Sequence, residues 1–224
     1  MKRIILSLLI AVSILSSVNA QDLEGEILPS DRNHWTVTVG YDVSIPGKWK
    51  LTNGSFKMFK PGSGISVGTD YMMLLGNNVF FEPGARFFID NYRYDNITIG
   101  AGTPEEPSKM YDPPVRKIGF RIPLTVGYKF DIFKKGSLYL STGPEPIIGL
   151  YARTKVDEDQ KEIFEEDMYK GLMHRFDVAW DIRAAIIIDR FRVDITGAFG
   201  MLDVIKTGVK MHEYRVSIGL GYVF

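Results

Sequence analysis

The chain has 224 residues, with 27 lysines and arginines balanced by 27 aspartates and glutamates, and no cysteine. Zero net charge gives no global pull toward nucleic acid. The missing thiols exclude disulfides, a lipid anchor through cysteine and thiolate metal sites. The length fits one domain once an export signal is removed, and beyond that signal no apolar run reaches the roughly 18 residues of a membrane-spanning helix.

Lys2 and Arg3 open the chain, an apolar run follows from Ile4 to Leu15, and Ser16 to Ala20 supplies small residues. This pattern predicts a signal peptide over 1–20, cleaved after Ala20, and a short periplasmic segment over 21–33. The remainder, 34–224, reads as one unit, because period-2 alternation recurs throughout it. Its eight predicted strands lie near 34–44, 63–75, 79–90, 118–130, 137–151, 175–188, 191–202 and 213–224. In the fourth, Ile118, Phe120, Ile122, Leu124, Val126, Tyr128 and Phe130 share one face. Successive strand side chains point to opposite sides, so each segment carries one apolar and one polar surface.

The predicted connections alternate long and short. The short ones lie near Gly76-Asn77-Asn78, Asp131 to Gly136 and Asp189-Arg190. The long ones cover about 45–62, 91–117, 152–174 and 203–212. Strands of about 11 to 15 residues exceed the usual soluble length and suit a tilted membrane crossing. Only helices and closed barrels satisfy every backbone group in lipid. The expected fold is therefore all-β, an eight-stranded antiparallel transmembrane β-barrel of the outer membrane with both termini periplasmic.

A soluble barrel with an apolar lumen would alternate too. Glycines, however, populate the polar face (Gly64, Gly68, Gly84, Gly119, Gly127, Gly143), and bulky Trp35, Tyr41, Phe120, Phe176 and Trp180 populate the other. A narrow interior needs small residues, so the polar face is expected to turn inward. That face carries Asp42, Asp70, Glu82, Glu145, Asp181 and Asp194 with Arg86, Arg121, Lys129, Arg183, Arg192 and Arg215. Buried charges are tolerated when paired, so a lumen ion-pair network is predicted, centred on Arg86, Arg121, Glu145, Asp181, Arg183, Asp194 and Arg215. Arg86, Arg121, Glu145 and Asp181 are expected at similar depth.

Several motifs resemble a known family. Gly64-Ile65-Ser66-Val67-Gly68 with Val79-Phe80-Phe81-Glu82-Pro83-Gly84 looks like its second and third strands. Arg121-Ile122-Pro123-Leu124 with Leu138 to Pro144 looks like the fourth and fifth, and Tyr214 to Phe224 looks like the closing strand. The chain thus resembles the PorT-like outer-membrane β-barrels common in Bacteroidetes, over most of residues 34–224. The resemblance implies the barrel fold and brings no catalytic residues with it. The family includes a component of the type IX protein secretion machinery and barrels of unknown role.

The three histidines, His34, His174 and His212, fall in different segments with no ligand spacing, so no enzyme, metal or cofactor is expected. Two loops stand out. The first holds Lys48, Trp49, Lys50, Lys57, Phe59 and Lys60, a basic and aromatic set that could dock anionic headgroups or a partner protein. The third is acidic from Asp157 to Asp167. The sequence reading is a non-catalytic barrel with a structural, docking or secretion-accessory role and a plugged lumen. Its expected partners are outer-membrane lipid, lipopolysaccharide and envelope or secretion proteins. The alternative is a small barrel that passes small molecules.

Overall fold

Alternation at period 2 becomes a closed ring in the computed structural model. It describes residues 32–51, 54–95, 97–99, 109–111, 114–133, 136–154, 167–206 and 210–224. The predicted signal, nearly all of 21–33 and the acidic residues Asp157 to Glu166 lie outside the described residues.

Eight strand positions make the ring. They are β1 (His34–Pro46), β2 (Phe59–Gly76), β3 (Val79–Tyr94), β4 in two halves (Pro114–Arg121 and Leu124–Phe133), β5 (Gly136–Thr154), β6 (Phe176–Ile188), β7 (Phe191–Gly200) and β8 (Glu213–Val223). Each pairs antiparallel with its sequence neighbours, and β8 returns to β1 through Thr36↔Val223 to Pro46↔Glu213, which closes the sheet. Closure removes the open edges that would otherwise recruit other chains.

Pro123 lacks an N–H and splits β4. The gap is bridged by neighbours on both sides: Ile122 N donates to Pro146 O at 2.9 Å, and Gly84 N donates to Pro123 O at 2.8 Å. The short turns follow local chemistry. Asn77 and Asn78 have φ of 50° and 63°, the left-handed pair that a two-residue hairpin needs, and asparagine tolerates that region better than most residues.

Three strands outrun their predicted ends. β2 begins at Phe59, β3 continues to Tyr94 and β5 to Thr154. The cause is packing. Phe59, Tyr92, Tyr94 and Ala152 stay in the inward phase and bury in a cluster above the lumen, with Trp49, Val115, Met168, Tyr169, Met173, Val204, Ile205 and Met211. Three long connections contribute to it, including the one-turn helix α1 (Met168–Gly171), whose N-cap Asp167 accepts a hydrogen bond from Tyr169 N. Two small hairpins, Trp49–Leu51 with Gly54–Phe56 and Ile97–Ile99 with Lys109–Tyr111, lie on the long-loop side. At the short-turn end a second apolar cluster joins Met72, Phe80, Tyr139, Ala185, Ile187 and Val223.

The apolar phase faces out. Trp35, Tyr41, Ile65, Phe176, Ile182, Ile195, Ile218 and Leu220 are each at least half exposed on the exterior. The polar phase faces in, and all twelve predicted lumen charges from Asp42 to Arg215 are buried.

Candidate functional site

Between the two apolar clusters the lumen holds ion pairs in tiers. Nearest the short turns, Arg192 bridges Glu82 and lies 3.3 Å from Asp194. Arg183 sits among three acids, 3.9 Å from Asp70, 3.7 Å from Glu82 and 3.9 Å from Asp181. Arg86 Nη2 donates to Asp70 Oδ2 at 2.8 Å. In the middle, Arg121 spans two carboxylates, Asp42 and Asp90, at 2.6 Å each, with its guanidinium 4.0 Å from the Phe88 ring centroid. Arg215 bonds Glu145 at 2.8 Å and stands 3.8 Å from Asp181. Toward the long loops, Lys117 bonds Glu213.

All seven predicted network residues are thus brought into one lumen. Arg86 and Arg121 lie directly opposite each other across β3 and β4. Neither takes its close partner from Glu145 or Asp181, which turn to Arg215 instead. Strand shear, invisible in the sequence, decides those pairings. Lys129 is also inward, 3.0 Å from Asp131 at the rim. Asp90, Lys117 and Glu213 complete the network, with Asp177 buried beside them, and none of the four was among the predicted charges. Their inward phase was the available signal, but Asp90 and Lys117 sat at the edges of the predicted strands.

Glycine makes room for this charge. Across the ladders Gly64 faces Asp90, Gly68 faces Arg86, Gly84 faces Asp70, Gly143 faces Asp181 and Gly219 faces Asp194. A Cβ at Gly84 would collide with Asp70 Oδ1, and one at Gly68 with the Arg86 stem. Gly84→Val should therefore cost about 1–3 kcal/mol through overpacking and displacement of the Arg86–Asp70 pair. Gly197 points outward with nothing within 3.7 Å of its would-be Cβ, so Gly197→Ala should be neutral. Thermal midpoints of the folded-to-unfolded shift on detergent gels compare the two. Equal losses would contradict the role given to glycine.

The cavity between Phe88, Asp90, Lys117, Arg121, Glu213 and Arg215 measures about 10 Å³, about one water. The loop-side cluster lies above it. There Trp49 Nε1 donates to Met211 Sδ at 3.1 Å and Tyr92 Oη to Met173 Sδ at 3.6 Å. Tyr169 packs against Gly149, where any side chain would strike its ring. Burial raises the Tyr169 pKa above its ordinary value, so the phenol stays neutral.

The predicted loop set divides. Lys48, Lys50 and Lys57 are exposed and Lys60 is half-buried, but Trp49 and Phe59 are buried in the loop-side cluster. The two aromatics therefore belong to the cap and are not part of an exposed docking surface. Their physical reason is the large apolar area that each would otherwise leave in water.

His34 stands at the opposite end of the barrel from His174 and His212, and His174 N donates to Val204 O. His34 bonds Arg32 O at the short-turn end, while His212 bonds Leu202 O and lies 3.8 Å from Asp203 at the other. Among the described residues no group of three or more His, Asp or Glu side chains could hold a metal ion.

No protein-family model matches the chain, and no curated protein matches it. Solved structures similar to it include outer-membrane and surface proteins. Neisserial surface protein A is 13% identical, covers 85% of this chain and 97% of its own, and has a TM-score of 0.43. The outer membrane protein OprG of Pseudomonas aeruginosa is 10% identical, with 86% and 96% covered and a TM-score of 0.46. Ail, the attachment invasion locus protein of Yersinia pestis, solved with the heparin analogue sucrose octasulfate, is 14% identical, with 86% and 99% covered and a TM-score of 0.42.

The architecture stands on the ring itself. A closed eight-stranded sheet with an apolar exterior and a charged, buried interior is a transmembrane β-barrel. Its place is the cell outer membrane.

Proposed function

We propose that this protein is a non-catalytic, non-conducting outer-membrane barrel of the PorT-like kind, a rigid scaffold that docks an envelope or secretion partner through its loops. The observation that carries the reading is the state of the lumen. Buried apolar clusters lie at both of its ends, and ion pairs lie between them. A conducting pore needs a continuous wet path, and both clusters interrupt one. The motifs from Gly64 to Gly84 and from Arg121 to Pro144 support the PorT-like part of the reading.

The strand ends at His34 and Phe224 lie with the short turns, since Phe224 N donates to Trp35 O and Val223 N to Arg190 O. With the usual layout of such barrels, this end faces the periplasm and the long loops face outward. Docking then falls to the loop surface, where Lys48, Lys50 and Lys57 remain accessible. Loops on rigid scaffolds often carry binding.

Purified barrels in planar bilayers should give no large, steady conductance. Reproducible open channels from the intact chain would overturn the reading in favour of small-molecule passage. Crosslinking in native outer membranes should capture a partner through positions 48, 50 and 57. Replacing Lys48, Lys50 and Lys57 together by glutamine should remove that crosslink while the barrel still folds.

A further inference from the structure

The barrel interior holds more acid than base. Asp90, Asp177 and Glu213 join the six predicted acids on the inward face, and these nine meet six inward bases, Lys117 and five arginines. Lys129 is a seventh inward base and bonds Asp131 at the rim. Adding Lys129 and a charged His34 to the bases still leaves one carboxylate over. Excess charge in a buried interior is neutralised by a proton or a bound cation, because leaving it bare costs far more than either.

Distances show which acid is least compensated. Toward the short turns five carboxyls stand around four guanidiniums. Asp70 of β2 has Arg86 of β3 at 2.8 Å, and Glu82 of β3 bonds Arg192 of β7. Asp194 of β7 has Arg192 at 3.3 Å, and Glu145 of β5 has Arg215 of β8 at 2.8 Å. Asp181 of β6 has no base nearer than 3.8 Å. Arg215 stands at that distance, and Arg183 of the same strand stands at 3.9 Å, shared with Asp70 and Glu82. Farther along the lumen, Arg121 of β4 is held by Asp42 of β1 and Asp90 of β3.

Asp181 is fully buried, and neither of its oxygens accepts a hydrogen bond from a protein nitrogen. Its neighbour is another acid. Gly143 is the direct partner of Asp181 and Ala179 that of Glu145, so the two acids are diagonal neighbours on the inward face of β5 and β6. Their carboxyls lie within hydrogen-bonding reach of each other. Ionised carboxylates only accept hydrogen bonds, so two of them in contact repel unless a proton lies between them.

We propose that Asp181 is a proton-binding site: its carboxyl carries a proton in the folded barrel and donates a hydrogen bond to Glu145, whose charge is held by Arg215. One proton then stands where a base is missing and turns a repulsive contact into a brace between β5 and β6. The site rests on the geometry of the lumen and does not depend on partner docking. It also makes the barrel sensitive to alkali. A folded chain that keeps a proton which the unfolded chain releases loses stability as pH rises, by about tenfold in the unfolding constant per pH unit while the proton stays bound.

The test uses the full mature chain folded in lipid vesicles. Near neutral pH its infrared spectrum should contain the carbonyl stretch of a protonated carboxylic acid. Asp181→Asn should remove one carboxyl's share of that band, and so should Glu145→Gln, which leaves Arg215 to Asp181 and frees the proton. Ile218→Phe, on the lipid face, should keep the whole band. Urea titrations above the ordinary carboxylate range give the second reading. The unfolding constant of the wild type should rise with pH more steeply than that of Asp181→Asn, by about tenfold per unit, because asparagine supplies the donor at every pH. Where Asp181→Asn folds poorly, Glu145→Gln and the wild-type band decide. No carboxylic acid band in the wild type, a band unchanged in Asp181→Asn, or equal pH slopes overturns the site. Stability that rises with sodium concentration, without the band, assigns the excess charge to a bound cation and overturns the proton.

Discussion

Arg121→Met should destabilise the barrel by about 3–5 kcal/mol, the usual cost of removing one partner from a buried ion pair. Arg121 is buried and divides its guanidinium between Asp42 Oδ2 and Asp90 Oδ2. Methionine fills much of the volume and keeps the contact with Phe88, so the loss reports charge rather than a cavity. Asp42 and Asp90 would then face each other's field with less cation nearby, in an interior with little room for water. Arg121→Lys should recover only part of the loss, because one ammonium cannot present the planar fork that reaches both carboxylates. Arg121→Met combined with Asp42→Asn and Asp90→Asn should recover more, since the unpaired charges are gone. Urea midpoints in lipid vesicles, read from the gel mobility of the folded form, order the four chains. If Arg121→Met matched the wild type, or the triple variant fell below it, the network would not be holding the strands as described.

How far the sequence shows this fold depends on which physical rule governs each residue. Strands governed by alternation are plain: Ile118 to Phe130 and Tyr214 to Phe224 read directly onto β4 and β8. The inward phase of the twelve charges is plain for the same reason. Their pairing is not, because Arg215 meets Glu145 from 70 residues away through the shear of a closed ring. The inward apolar side chains are hidden differently. Phe80, Phe88 and Ile187 occupy the polar phase, and in an alternating pattern each looks like noise. The readable signal was the unbroken runs Val79-Phe80-Phe81, Phe87-Phe88-Ile89 and Ala185 to Ile188. Continuous apolar runs mark strands buried on both faces. The loop-side cap had no such sign. Trp49, Tyr169 and Met211 come from three loops, and only the barrel brings them together. Lys48-Trp49-Lys50 suggests docking because it is basic and aromatic. Its alternation in a short strand instead places Trp49 inward, with Lys48 and Lys50 outward.

Ile218→Arg should cost about 2–4 kcal/mol in a bilayer, the depth-dependent penalty of an arginine at the centre of a barrel's lipid face. Ile218 is 55% exposed, with Tyr41 opposite on β1 and Ile195 on β7, both outward, so it lies well inside the apolar belt. Neither rim is near enough for a short snorkel to remove the charge from lipid. The same substitution separates this barrel from a water-soluble one. On a soluble exterior, trading an exposed isoleucine for arginine would be neutral or favourable, because the change leaves no buried group behind. Ile218→Phe is the matched control and should be close to neutral, as an apolar side chain remains in an apolar solvent. Ser217, the next residue, faces the lumen, where the Arg215 guanidinium donates to its Oγ at 3.0 Å. Ser217→Ala should therefore cost about 1 kcal/mol, through a lost hydrogen bond and not through lipid. Folding yields into vesicles of increasing acyl-chain length give the reading. The Ile218→Arg deficit should grow as the hydrocarbon thickens, because local thinning becomes harder, while the Ser217→Ala deficit should stay constant. A deficit at Ile218 that ignored bilayer thickness would place that face in protein or water instead of lipid.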